Sequence, residues 1–396
     1  MKKYFLFICI IFTSFTACVS TEQKTENLKA FAKAYGYIKY FHPSDEASQI
    51  DWNKFAIYGA QEIENCRTKA EVVEALNRLF NPIAPSVIFS LSEKQTDYDI
   101  KKITPENTKG YQLTYWQHLG VQFGMNDFNG HQNIYKSIRV NRTENESDKQ
   151  LYAYHPIFGN IISKEISKGI YCQFPKVLYC NKQNTYPKAN IELLKQLNEE
   201  LKNCDIKAEN PYFRLGNIIN TYNVFQHFYP YFDVIKVDWS EEFRKALTRC
   251  YTDKSERDHL LTLKTFTAPL KDGHIWIECK YIKDYSVPPI SWEWIEKQLV
   301  ITGVYKDSLD IKIGDVVSKI NGQNAQDYFN AINAGISAGT KGWLNYRANT
   351  ESLQGEFRSK LIVTINNKPI ELIRYSSYIN PEAWSKKSDS IIDDSI

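Results

Sequence analysis

The chain contains 396 residues and carries a formal net charge of +3 at pH 7, from 49 Lys and Arg against 46 Asp and Glu. This near balance excludes the strongly basic field of a typical nucleic-acid-binding protein, so we expect no nucleic-acid partner. With 43% hydrophobic and 24% charged residues, and only 17 Gly and 14 Pro, the composition also excludes collagen-like and disordered chains. The length is enough for about two to four folded domains.

The N-terminus is typical of an exported protein. Two lysines precede an apolar run at residues 4–12, which is too short to span a bilayer and fits a secretory signal. The following Phe15-Thr16-Ala17-Cys18 resembles a bacterial lipobox, although Leu is usual where Phe15 stands. The resemblance implies a signal peptide at 1–17, lipidation of Cys18, and anchoring to a cell-envelope membrane, on the periplasmic or surface side, by the lipid alone. The alternative is an ordinary signal peptide in which Cys18 has no role.

Six cysteines follow this segment, which is too few for a disulfide framework in a chain of this length. They are Cys66, Cys172, Cys180, Cys204, Cys250 and Cys279. Cys172 and Cys180 can lie on neighbouring strands, but their spacing does not define a pairing. The sequence has no C-x-x-C or H-x-x-x-H pattern and its seven His are scattered, so we expect no metal site and no cofactor.

Two segments of the chain are alike at a constant offset, the one that aligns Leu28 with Leu215. The clearest matches at this repeat offset are a Phe-x-Pro pair, at residues 41–43 and 228–230, and an Asp-Trp pair, at residues 51–52 and 238–239. This pattern predicts a duplicated small helical domain, with one copy at 18–85 and the other at 191–285.

Each copy is predicted to consist of amphipathic helices. In the first copy, apolar residues at helical spacing from Leu28 to Ile38 indicate a helix that ends before Pro43. Asp51 is a suitable N-cap for a second helix, and Thr68 begins a capping-box pattern for a third. The second copy ends in Asp272-Gly273-His274, which predicts a turn, followed by a predicted strand at 275–277.

The segment 86–190 between the copies is predicted to be a β-rich domain. Short apolar runs separated by Gly, Asn and Pro indicate strands, in VIFSL, YQLTYW, GVQF, IYKSIRV, GIYCQFP and KVLYC. The many aromatic residues allow a carbohydrate-binding sheet, but aromatic residues are also common in ordinary strands.

The last module, 286–378, precedes a polar tail at 379–396. It begins with a predicted strand at 298–305, followed by Ile313-Gly314-Asp315-Val316-Val317 and an Asn321-Gly322 hairpin signal. A helix at 325–335 and a closing hairpin around Asn366-Asn367 complete the predicted module.

This pattern of strand, I-x-x-G-D-V-V-x-x-I-N-G-Q and helix resembles the bacterial type of PDZ domain. PDZ domains add an extended peptide to a sheet edge and often capture its C-terminus. The resemblance therefore implies that peptides or the C-termini of unfolded proteins are partners. It places the groove between the helix at 325–334 and a strand containing Val300, Ile301, Thr302, Gly303 and Val304.

A helical segment ending in L-x-D-G-H, then a strand and this module, resembles the front part of the tail-specific protease family, which includes C-terminal processing and tricorn-like serine peptidases. The resemblance covers residues 215–375 and implies that His274 is a candidate general base. In the family, the nucleophilic Ser lies in an α/β domain after the PDZ module. The G-x-S-x-G pattern in this chain, Gly335-Ile336-Ser337-Ala338-Gly339, lies inside the PDZ-like module and not in a domain after it, so we expect that catalytic domain to be missing. The alternative is that Asp272-Gly273-His274 is only a structural turn.

The sequence thus predicts an α+β multi-domain protein with duplicated helical domains, a β-rich insert and a PDZ-type domain. The first functional hypothesis is the front part of a tail-specific serine peptidase, truncated before its catalytic Ser and inactive in hydrolysis alone. The second is a non-catalytic peptide-binding lipoprotein, and the third is a surface glycan-binding protein.

Overall fold

The structure is a computed structural model that describes residues 19–92, 98–118, 137–142 and 155–375. The predicted signal peptide, Cys18, the strand predicted at 120–123 and the polar tail at 379–396 lie outside the described residues. The chain divides into two compact units, 1–204 and 205–396, each of which mixes helices with antiparallel strands. Within the described ranges, no helix is long and apolar enough to cross a membrane.

The described part of the first unit begins with helices and continues with short strands and a further helix. The helices before the strands are α1 (Thr21–Phe41), α2 (Asp45–Gln49), α3 (Trp52–Ile63) and α4 (Lys69–Phe80). The strands are β1 (Ile88–Ser90), β2 (Gln112–Thr114), β3 (Trp116–His118), β4 (Ser137–Arg139), β5 (Ile161–Ser167), β6 (Ile170–Pro175), β7 (Leu178–Cys180) and β8 (Thr185–Tyr186). The unit continues with α5 (Ile191–Lys202). Its sheets have the strand orders β1-β6-β5, β2-β7-β8 and β3-β4.

An aromatic core holds the first three long helices together. The fully buried Phe31 ring lies about 6 Å from the rings of Tyr35, Phe55 and Phe80. Gly59 lets α3 approach this ring, because a Cβ at that position would stand 2.1 Å from a Phe31 ring carbon. The close approach of α1 and α3 therefore depends on a glycine.

The segment that begins at residue 191 belongs to the first unit. The sequence places it at the start of the second helical repeat, but α5 packs against α3. At the C-terminal side of α5, the Cys204 thiol lies 3.7 Å from the carbonyl oxygen of Lys54. The apolar face of α5 therefore packs against the first repeat.

The second unit combines a three-helix segment with a sheet. Its helices are α6 (Pro211–Phe228), α7 (Trp239–Cys250) and α8 (Glu256–Thr267). They are followed by β9 (Ile290–Ile295), β10 (Gln298–Val304), β11 (Val316–Ile320), β12 (Gln323–Asn324), α9 (Ala325–Asn333), α10 (Lys341–Glu351), β13 (Lys360–Ile365) and β14 (Lys368–Ile373). The sheet has the order β14-β13-β11-β10-β9, with β12 paired to β11, and all pairs are antiparallel.

The helices of the two units follow the repeat offset closely. At the offset that aligns Leu28 with Leu215, the bounds of α7 and α8 coincide with those of α3 and α4, and the end of α6 coincides with that of α1. The N-caps correspond as well, since Asp51 and Asp238 accept main-chain N–H groups at the starts of α3 and α7. Thr68 and Ser255 do the same for α4 and α8. The repeat seen in the sequence is therefore a repeat of local structure.

The hairpins predicted in the last module are formed, whereas one predicted strand is absent. Asn321 and Gly322 have positive φ, as do Asn366 and Asn367, which a tight hairpin requires. Residues 275–277 are irregular instead of a strand, and the Arg347 guanidinium lies over the Trp276 ring at 3.7 Å from its centroid. This cation–π contact joins the segment to α10.

Candidate functional site

The turn at Asp272-Gly273-His274 holds its histidine through a carboxylate. Oδ1 of Asp272 accepts the His274 main-chain N–H at 2.9 Å and lies 3.1 Å from Nδ1 of the His274 ring. The Asp272 N–H donates to Oγ of Ser337 at 2.8 Å, which ties the turn to the segment before α10. A Cβ at Gly273 would stand 2.9 Å from Nε1 of Trp343, so a larger residue here would require the Trp343 side chain to shift.

This geometry orients His274 but does not complete a catalytic group. Its side chain is 99% exposed, and no described hydroxyl or thiol forms a hydrogen bond with its Nε2. A general base must lie within about 2.6 to 3.2 Å of the proton that it removes. Among the described residues, the hydroxyl beside this turn is that of Ser337, which is 3% exposed and accepts from the Asp272 N–H, and no hydrogen bond joins it to His274.

A serine–histidine contact that the sequence does not single out lies in the first unit. His42 Nε2 is 2.6 Å from Oγ of Ser86, and His42 Nδ1 is 3.0 Å from Oγ of Ser44. His42 is fully buried, which lowers its pKa to about 3, and Ser86 is only 5% exposed. A nucleophile must meet its substrate, so this buried pair is a structural contact of the core.

The strand predicted to bind peptide is an interior strand. The main chain of residues 299–301 in β10 pairs with β9 on one side and with β11 or the turn before it on the other. Addition of a peptide at Val300 or Ile301 would require removal of β9. The prediction that Val300 and Ile301 line the peptide edge is therefore corrected, because both sides of their main chain are paired. Gly303 and Val304 pair with β9 alone, so the groove role of Thr302, Gly303 and Val304 stays a prediction.

The outward main-chain groups of β9 belong to its two tryptophans. The Ile301 N–H donates to the carbonyl oxygen of Asp315, and the Ile301 carbonyl oxygen accepts from the Gly314 N–H. Ile301 and its partner Trp292 on β9 are therefore a non-hydrogen-bonded pair. The alternation of an antiparallel pair then points the N–H and C=O of Trp292 and Trp294 away from β10. The structure gives these groups no main-chain partner among the described residues.

The opposite edge of the sheet is protected. The two-residue turn at Asn366-Asn367 makes Ile365 and Lys368 a hydrogen-bonded pair, so the next pair, Thr364 and Pro369, is not hydrogen-bonded. Pro369 therefore occupies a position whose N–H would face outward, and proline has none. Proline at such a position is a common protection against edge pairing.

Helix α10 covers one face of the sheet at β9. The Trp292 indole donates to the carbonyl oxygen of Asn349 and to Oγ of Ser352, both at 3.1 Å, and Trp292 is only 1% exposed. Trp294 is partly exposed, and its ring packs on Phe329 of α9 with 5.3 Å between centroids. The two tryptophan side chains therefore face the helices, while their main-chain groups lie along the edge of the sheet.

The described cysteines are free thiols. Cys172 lies on β6 and Cys180 on β7, which belong to different sheets, so they are not a disulfide pair. Burial raises the pKa of both thiols, and neither is a candidate nucleophile.

Comparison with known proteins gives little similarity. No protein-family model matches the chain, and no curated protein matches it. Among solved structures, mature CPAF, its complex with lactacystin and a CPAF mutant match at TM-scores of 0.30, 0.32 and 0.30, each with 14% identity. CPAF is a chlamydial serine protease. The matches cover 41% of this chain and 33 to 34% of the CPAF chains, and at these TM-scores they do not establish a shared fold.

Proposed function

We propose that this chain is a peptide-binding protein that takes up an extended peptide by strand addition at β9, in a PDZ-type domain. The observation that carries the proposal is the difference between the two edges of the sheet. Pro369 protects β14, whereas Trp292 and Trp294 direct unpaired main-chain groups outward from β9. An edge strand that presents unpaired donors and acceptors is a ready template for pairing with another chain.

The contact between peptide and protein would begin at Trp294. Its outward N–H and C=O would pair with the peptide main chain, while the partly exposed Trp294 ring, supported from below by the buried Phe329, offers an apolar surface for a peptide side chain. Addition along β9 would then extend to the outward main-chain groups of Trp292.

The remaining features fit a role at the cell envelope. The lipobox-like Phe15-Thr16-Ala17-Cys18 supports export and a lipid anchor at Cys18, which would keep the domain near the membrane without a spanning helix. The order of the Asp-Gly-His turn and the PDZ-type domain supports a relation to tail-specific serine peptidases. The C-termini of unfolded proteins are then the partners of choice.

The test is the affinity of a fluorescein-labelled, extended peptide with a free C-terminus, measured by fluorescence anisotropy. Trp294→Pro removes the outward N–H, and an edge strand tolerates proline where that group faces away from the sheet. We expect this variant to bind at least about 10-fold more weakly, since one main-chain hydrogen bond and its geometry are lost.

Trp294→Phe is the matched control, because it keeps both the N–H and an aromatic ring on Phe329. A peptide methylated at alternate amide nitrogens tests the same contact from the other side, and we expect it not to bind. Equal affinity of the proline and phenylalanine variants would contradict strand addition at this edge. Competition by soluble glycans would instead favour the glycan-binding alternative.

A second candidate function rests on the 3.1 Å contact between Asp272 Oδ1 and His274 Nδ1. A carboxylate that orients an imidazole whose Nε2 is open to solvent is the arrangement of a general base in serine peptidases. On this proposal, a nucleophile from a further segment or chain would complete the site. We expect the purified chain alone to incorporate no fluorophosphonate and to cleave no unfolded protein. Labelling that is lost in His274→Ala would show instead that the chain contains its own nucleophile.

A further inference from the structure

Three potential metal ligands meet in the interior of the second unit. Cys250 is the last residue of α7, Asp253 lies in the turn after it, and His259 lies in α8. One ligand atom from each residue falls within 4.8 Å of the other two, and all three residues are buried. The spacing is Cys-x2-Asp-x5-His, which no common zinc motif contains, so the sequence alone did not indicate it.

Two polar atoms of this cluster have no hydrogen-bond partner among the described residues. They are Oδ2 of Asp253 and Nδ1 of His259, which lie 3.7 Å apart on side chains that are 8% and 6% exposed. The other polar atoms of these side chains are occupied, since Asp253 Oδ1 accepts from Thr262 at 3.1 Å and His259 Nε2 lies 3.3 Å from the Asn217 amide. Buried polar atoms without partners are rare and require an explanation.

The first repeat shows that the helices do not need this cluster. At the repeat offset, Cys250, Asp253, His259 and Thr262 correspond to Ile63, Cys66, Val72 and Ala75. The helices there have matching bounds with a largely apolar interior. The polar set in the second repeat is therefore specific to that copy.

We propose that Cys250, Asp253 and His259 bind one divalent transition-metal ion, for which zinc is the best fit. Thiolate, carboxylate and imidazole are the ligands that zinc takes in proteins. In a tetrahedral site with bonds of about 2.1 Å, neighbouring ligand atoms are separated by roughly 3.4 Å. The 3.7 Å between Asp253 Oδ2 and His259 Nδ1 is too long for a hydrogen bond and close to that separation.

The surroundings place a positive charge and a cleft near the cluster. The Arg214 guanidinium donates to the carbonyl oxygens of Cys250 and Ala208. Burial raises the pKa of Cys250 and of Asp253, and the Arg214 charge opposes this effect in part. Thr262 also lines a cleft of about 460 Å³ along α7 and α8. A water molecule from that side would complete the coordination, as in sites with three protein ligands.

Cobalt(II) is the direct probe, because a thiolate bound to tetrahedral Co²⁺ gives a charge-transfer band in the near ultraviolet. We expect the purified, metal-stripped chain to bind one equivalent of Co²⁺ with this band, and one equivalent of Zn²⁺ to displace it. Cys250→Ile and His259→Val introduce the residues of the first repeat, so both preserve the apolar packing. Each should weaken zinc binding by about 100-fold or more.

Cys66→Ser and Cys279→Ser are the controls, because they remove thiols outside the cluster and should leave the band unchanged. Circular dichroism establishes that each protein is folded before the metal is added. A folded wild-type chain without the band, or a band that persists in both Cys250→Ile and His259→Val, would overturn the proposal.

Discussion

At the scale of single residues, two histidines show how surroundings decide what a side chain can do. His274 is exposed and oriented by Asp272, so it is available for chemistry with another molecule. His42 is enclosed between Ser44 and Ser86, and its ring serves the packing of the first unit. The first is a candidate for function, and the second is a determinant of stability.

The buried histidines predict that stability falls in mild acid. Burial lowers the pKa of His42 to about 3, whereas an unfolded histidine titrates near 6.5. The unfolded chain therefore binds more protons between these two values, and stability decreases as the pH falls through that window. From pH 7.5 to pH 5 the loss at one such histidine is about 2 kcal/mol. We expect His42→Gln to remove this part of the pH dependence.

Native-state hydrogen exchange resolved by segment is the suitable measurement, because it reports on each unit separately. His42→Gln should flatten the profile of the first unit and leave that of the second unit unchanged. If the first unit of His42→Gln keeps the wild-type dependence of stability on pH, His42 is not the titrating group.

At the scale of helices, the two repeats fill the same helix–helix contact with side chains of different size. Phe31 and Gly59 meet between α1 and α3, and the corresponding residues at the repeat offset are Ile218 and Ala246. We predict that Gly59→Ala lowers the free energy of unfolding by about 1–3 kcal/mol, although alanine favours helix. The added Cβ would overlap the enclosed Phe31 ring.

Urea unfolding followed by circular dichroism measures this change. Gly342→Ala in α10 is the control, because no atom lies within 4 Å of the added Cβ, and we expect it to raise stability by up to about 0.5 kcal/mol. The double variant Phe31→Ile, Gly59→Ala copies the pair of the second repeat. It should be more stable than the sum of its single changes predicts, and simple additivity would show that the two positions are not coupled.

The shared N-caps give a second prediction for the repeat. Asp51 and Asp238 accept main-chain N–H groups at the first turns of α3 and α7. We expect Asp51→Ala and Asp238→Ala to cost about 1 kcal/mol each, measured by thermal unfolding. Asp→Asn at either position keeps an acceptor and should cost less. A cost confined to one repeat would show that the caps are not equivalent.

Local patterns explain why several helices and hairpins were predictable. Asp51 and Thr68 mark helix starts, and Asn321-Gly322 and Asn366-Asn367 occupy turns that need positive φ. The edge strand β9 was missed, although Trp292 and Trp294 alternate with polar residues before the Glu296-Lys297 turn. The irregular segment at 275–277 was mistaken for a strand because the sequence does not reveal that Arg347 of α10 lies over Trp276 and contacts the Ile275 carbonyl oxygen.

At the scale of the whole molecule, candidate sites arise from contacts between distant segments. Spacing alone could not show that β10 is interior, that Pro369 protects the far edge, or that Cys250 and His259 meet beside Asp253. The resemblance to PDZ domains pointed to this sheet, but to an interior strand of it. Only the strand order of the sheet distinguishes β9 from its neighbour.

The most direct test of the account is hydrogen exchange at the two edges of this sheet, with and without a saturating extended peptide. We predict slower exchange at Glu293–Ile295 of β9, centred on the Trp294 amide. Residues of β14 should not change, because Pro369 interrupts that edge. Protection at β14, or peptide binding without any change at β9, would contradict strand addition as the function of this domain.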